Sequence, residues 1–144
     1  MKKIFIIILS LSFYLSANSF AKENFFEEAK NKYEKEQIED SKFLFQRNIV
    51  FNPKDAQSYL YLAKIYNLEE NEIEELKNLK TTLLLDPENE EAMYMLIEIE
   101  LEKSNFSEVR DLTKKFNIIC SIFCNKSKDI NQKLKDTQAK EENN

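Results

Sequence analysis

Cys120 and Cys124 are the only cysteines of the chain, four residues apart. Three chemistries are open to such a pair: thiol exchange, metal ligation and a structural disulfide. The spacing is not the Cys-x-x-Cys of thiol redox proteins. Two thiolates in a chain with no histidine also make an incomplete zinc site. In an exported protein the pair is expected to oxidise, so the reading favours a structural disulfide over two free thiols. In a regular helix the two side chains would stack without aiming at each other, so a bridge requires the helix to end before Cys124. A loop this short adds little global stability. It would instead fix the turn leading into the last helix.

The acidic run Glu69-Glu70-Asn71-Glu72-Ile73-Glu74-Glu75 invites a calcium reading. A calcium loop alternates oxygen ligands around a sharp turn, and that spacing is missing here. Carboxylates at a helix N-terminus, where the macrodipole favours them, account for the run more simply. The absences exclude more. With no glycine there is no phosphate-cradling loop, and with no histidine the usual general base at neutral pH is lost. No catalytic residue, metal or cofactor is expected.

Zero glycine and two prolines also constrain the elements. Tight β-hairpins want Gly or Asn at positive φ, whereas helices joined by short polar turns need neither. The fold class is therefore all-α. At the N-terminus, Met1-Lys2-Lys3, an apolar run from Ile4 to Leu15, and Ser19-Phe20-Ala21 follow the order of a secretory signal peptide cut after Ala21. The apolar run is too short for a bilayer-spanning helix. Export to the periplasm, with no stable membrane insertion after cleavage, is the expectation. Loss of Lys2 and Lys3 would carry the formal charge from −5 to −7. A chain this acidic, with only Arg47 and Arg110 as arginines, is a poor nucleic-acid binder.

The two prolines, Pro53 and Pro87, stand 34 residues apart and each closes a segment of the same pattern. Asn48-Ile49-Val50-Phe51-Asn52-Pro53 aligns with Thr82-Leu83-Leu84-Leu85-Asp86-Pro87. Apolar spacings of three and four mark helical stripes through Phe25, Ala29 and Tyr33, then Ile38, Ser41, Phe45, Ile49 and Phe51. The strongest local pattern is Tyr59, Leu62, Ala63 and Tyr66. It resembles the first helix of a tetratricopeptide repeat, in which a large residue, Leu, a small residue and Tyr recur at those spacings.

That resemblance implies a right-handed α-solenoid of three helix hairpins plus a cap. The units are 22–55, 56–89 and 90–123, the cap is 127–138, and 139–144 is a disordered tail. The second helix of the middle unit is expected to run from Glu72 to Leu85 and to bury Leu76, Leu79, Leu83 and Leu85. The third unit, with Met93, Leu96, Ile97, Phe106, Val109, Leu112 and Phe116, fits more loosely: Ile97 stands at the small position, and Ser121 where a proline is due. Glu28 likewise departs from the leucine of the first unit. Asn71-Glu72-Ile73-Glu74 and Asn105-Phe106-Ser107-Glu108 both read as capping boxes.

In the family, first-helix side chains not used in packing line a concave groove that takes a partner segment. Carried over by phase, the groove residues are Phe26, Lys30 and Tyr33, then Leu60, Tyr61 and Lys64, then Tyr94, Met95 and Glu98. The lysine, asparagine and arginine that clamp acidic chaperone tails in some relatives are not reproduced. The resemblance thus implies a non-catalytic adaptor or scaffold of the bacterial cell envelope that binds a protein or peptide. Two alternatives stand beside it. One is a self-associating structural subunit, and the other a thiol/disulfide accessory using Cys120 and Cys124.

Overall fold

The computed structural model describes residues 24–141, so the expected signal peptide and residues 142–144 lie outside it. Seven helices follow one another among the described residues: α1 Phe25–Glu34, α2 Ile38–Phe51, α3 Ala56–Leu68, α4 Glu72–Leu85, α5 Glu90–Glu102, α6 Phe106–Ile119 and α7 Lys126–Glu141. They pair as antiparallel hairpins α1–α2, α3–α4 and α5–α6, each hairpin packs on the next, and α7 closes on α5 and α6. The fold is the all-α stack of hairpins that the proline interval predicts. Helix α7 is held to the core in its first half, through Ile130 and Leu134.

Burial repeats with the sequence interval. Ala29, Ala63 and Ile97, each 34 residues after the last, are all 0% exposed where the two helices of a hairpin cross. The same phase buries Ser41, Glu75 and Val109, and again Phe45, Leu79 and Thr113. A small side chain at the crossing lets helix backbones approach closely. Ser41 uses that proximity, its hydroxyl donating to the Ala29 carbonyl at 2.9 Å. The bulkier Ile97 goes with a hairpin α5–α6 that stays less closely apposed along its length than α3–α4.

The turns inside the hairpins repeat as well. Glu36, Glu70 and Ser104 have φ of 58°, 55° and 55°, the left-handed region that a glycine would enter without cost. Each follows the last helical turn of a first helix, where the backbone must reverse within three residues. Backbone bonds Gln37 N–H to Lys32 O, Asn71 N–H to Tyr66 O and Asn105 N–H to Glu100 O close the three turns in the same way, all at 2.9 Å.

Helix starts divide by chemistry. Asn71 accepts from the Glu74 amide at 3.3 Å, and Asn89 from the Ala92 amide at 3.0 Å, so α4 and α5 are capped by side chains. The capping box expected at Asn105 does not form. Its side-chain amide turns back to donate to the buried Glu100 carboxylate at 2.8 Å, leaving the first turn of α6 without a side-chain cap. A buried carboxylate needs a donor more than an exposed helix end does, since water can satisfy the latter.

Candidate functional site

The first helices α1, α3 and α5 share one face, and its centre is aromatic. Tyr61 of α3 stacks on Phe45 of α2 at 4.8 Å between ring centroids and meets Phe26 and Tyr33 of α1 edge-on at 5.9 and 5.3 Å. Edge-to-face and offset-stacked rings at these separations are the arrangements the ring quadrupole favours. Phe45 is fully buried, whereas Phe26, Tyr33 and Tyr61 are half-buried and keep one side toward solvent.

Charged groups frame the rings. Lys64 lies over the Tyr61 ring at 4.8 Å and pairs with Glu91 of α5 at 2.7 Å, linking the second hairpin to the third. Lys30 reaches Glu34 at 4.0 Å. Burial pushes the Tyr61 hydroxyl above the usual phenol range, and the carboxylates of Glu34, Glu91 and Glu27 push it further. Tyr33 is raised for the same first reason, with Tyr61 and Glu91 adding to it. Both phenols therefore stay protonated and can donate. The site is an aromatic floor with a rim of mixed charge, in which Lys30 and Lys64 pair with two of three carboxylates.

The structure separates the nine expected groove residues into three groups. Phe26, Lys30, Tyr33, Tyr61 and Lys64 come together on this face. Leu60 does not: at 2% exposure it belongs to the core shared by α3 to α7, because the neighbouring hairpin covers it. Tyr94, Met95 and Glu98 lie apart from the aromatic floor. The Tyr94 ring packs 6.4 Å from Phe116 and 6.5 Å from Phe123, with Lys126 of α7 over it at 5.2 Å. Its hydroxyl donates to Glu98 at 2.7 Å, and burial together with that carboxylate raises its pKa to about 12. Helix α7 thus occupies the place a fourth first-helix would take, and Lys133 of α7 pairs with Glu98.

Met95 and Glu98 instead line an open cleft of about 350 Å³ against Asn67, Glu72 and Glu75 at the α3–α4 turn. Its walls are mainly carboxylates. Burial raises the Glu75 pKa, opposed by the bond it accepts from Asn67 at 3.1 Å. No group of residues suited to hold a metal occurs among the described residues. Nor is any described helix long and apolar enough to cross a membrane.

Cys120 and Cys124 are bonded to each other, with Cα atoms 5.1 Å apart. Helix α6 ends at Ile119, so the two sulfurs escape helical geometry, the condition the spacing imposed. The bridged loop also holds a feature that sequence reasoning missed. The Glu90 carboxylate, at the start of α5, accepts from the amides of Ser121, Ile122 and Phe123 at 2.8, 3.0 and 2.8 Å, and from the Ser121 hydroxyl at 2.6 Å. These donors, the hydroxyl first among them, lower the Glu90 pKa to about 2. The only sequence signal was that Glu90 opens the third unit and Ser121 stands where that unit should close. The Lys64–Glu91 link was equally invisible, since it joins different units.

No protein-family model matches the sequence, and no curated protein matches it. Among solved structures, the chain is similar to the type III secretion translocator chaperone SycD of Yersinia enterocolitica. The TM-score is 0.70 at 17% identity, over 92% of this chain and 93% of that one. It is similar to the same chaperone in complex with a peptide of the translocator YopD, again with a TM-score of 0.70 at 17% identity, over 86% of this chain and 97% of that one. The similarity is one of fold: helical hairpins stacked in the same order over nearly the whole of both chains.

Proposed function

We propose that this protein is a non-catalytic binding module that takes a peptide or protein segment on its first-helix face, exported to the periplasm by its N-terminal leader. The observation that carries the reading is the half-buried trio Phe26, Tyr33 and Tyr61, open on one side, with Tyr61 stacked on buried Phe45 and Phe26 edge-on to it. Rigid aromatic surface held in place by packing is what dominates binding energy at protein interfaces. With Glu34 and Glu91 already paired to Lys30 and Lys64, the rings favour a segment with an apolar anchor. A SycD structure that contains a translocator peptide is consistent with a peptide-binding role for the shared fold. Envelope location rests on the leader alone: a basic start, an apolar run and a small-residue cut site.

The test is site-specific photocrosslinking in the native cells. A photoreactive phenylalanine analogue at Tyr33 should give a defined adduct, and the same group at Ser107, on the far side of the stack, should give none. Adducts of equal yield at both positions, or none at Tyr33, would remove the face from consideration. Fractionation of the same cells, with mature N-terminal sequencing, checks cleavage after Ala21.

A further inference from the structure

The second helices carry a pattern that the binding face does not use. Val50, Leu84 and Ile118 fall at one repeat position, each 34 residues after the last, on α2, α4 and α6. They are 76%, 80% and 83% exposed, and Ile122, in the disulfide-closed loop just beyond, is 82% exposed. Single exposed aliphatics need no explanation, but repetition at a fixed phase places these in one row along the outer side of the stack. The positions one turn before the row hold Gln46, Lys80 and Lys114, and Arg47, Thr81 and Lys115. Lys77 stands one turn earlier again. Two lysines of this band are paired with carboxylates, Lys114 with Asp111 at 2.9 Å and Lys77 with Glu74 at 3.0 Å. Exposed pairs of that kind hold weakly and exchange partners readily.

Charge along the second helices is therefore polarised. Their N-terminal turns hold Glu39, Asp40, Glu72, Glu74, Glu75 and Glu108, whereas their C-terminal halves hold Arg47, Lys80, Lys114 and Lys115 and no carboxylate. In a chain of net charge −5 this makes a basic edge, and the exposed aliphatic row lies along it.

We propose that this edge rests on an anionic lipid surface. Aliphatic tips with lysines one turn away are the elements of peripheral membrane attachment, in which shallow apolar insertion and attraction to anionic headgroups act together. A shaped protein partner fits the row less well. Side chains about four-fifths exposed protrude and cannot line a pocket, and the exposed Phe43 and Phe51 at the α2 end of the row are apolar tips of the same kind. A fluid bilayer needs no pocket. Attachment of this kind is distinct from insertion of a helix, and it would leave the first-helix face open to solvent.

The purified full-length chain is sedimented with phosphatidylcholine vesicles and with vesicles that also contain phosphatidylglycerol, at low and high salt. The wild type is expected to bind the anionic vesicles and to leave them as salt rises. Leu84→Ser with Ile118→Ser should lower binding about tenfold. Lys80→Glu with Lys115→Glu should lower it at least as much. The leader is present in every variant, so differences between variants report the edge alone. Circular dichroism confirms folding, and Val50→Ser serves should the double serine variant fail to fold. Equal binding to both vesicle types, binding retained by both double variants, or no vesicle binding would each overturn the proposal. A dimer that needs Leu84 and Ile118, without vesicle binding, would assign the row to a second copy and overturn it likewise.

Discussion

Ser104 repeats the backbone of Glu70 at an interval of 34 residues: both have φ of 55°, and both reverse the chain between the two helices of a hairpin. A left-handed residue with a Cβ costs roughly 1–2 kcal/mol, and this chain places one at each of its three hairpin turns. Replacing Glu70 or Ser104 by glycine should relieve that strain. The gain is set against the greater freedom glycine has when unfolded, leaving a net stabilisation of up to about 1 kcal/mol each. Glu70→Val should do the reverse. Urea midpoints of the three variants check this, and a lower midpoint for both glycine variants would contradict it.

Glu90 supplies a pH signature. Its carboxyl titrates at about 2 in the folded protein against an ordinary 4.5, so between those values the unfolded chain binds the extra proton. The stabilisation is fully present above about pH 4.5 and is lost as pH falls toward 2. Thermal midpoints of wild type and Glu90→Gln should differ at neutral pH and converge across that window. A difference that stays constant down to pH 2 would show that the loop does not depend on the charge.

Removing the disulfide should matter locally more than globally. Closing a loop this short is worth at most about 2 kcal/mol by chain entropy. Cys120→Ser with Cys124→Ser should therefore leave the hairpins folded while amide exchange quickens at residues 121–123 and through α7. Mass-spectrometric exchange mapping reads this directly, and uniform acceleration over α1 to α6 would refute it.

The hairpin crossings make an asymmetric prediction. Ala63 is fully buried between α3 and α4, so Ala63→Ile should overpack the site and cost about 1–3 kcal/mol. Ile97 is the same position in the third hairpin, already spaced for a large side chain. There Ile97→Ala should leave a cavity and cost about 2–5 kcal/mol. Chemical denaturation of the pair decides whether the two crossings differ as described.

Much of this architecture was legible because it is periodic. Pro53 and Pro87 set the interval, and Ala29 and Ala63 mark the crossings. The apolar run with its Asn71 cap placed α4 at Glu72–Leu85, where it lies. What was not legible lies between units. Leu60 passes for a groove residue when its own hairpin is read alone, and only the next hairpin buries it. Asn105 looks like a cap until Glu100 claims its amide. Tyr94 was aligned correctly by phase with Leu60 and Phe26, yet α7 covers it, because no single-repeat pattern says what caps the stack. The aromatic trio was found since stripe and phase coincide there.

The grip of Glu90 on the loop from Ser121 to Phe123 ties the first residue of the third hairpin to the residues just beyond its end. Tension along the polypeptide is then not shared evenly. The third hairpin is strapped end to end, and its ends part only after that carboxylate lets go.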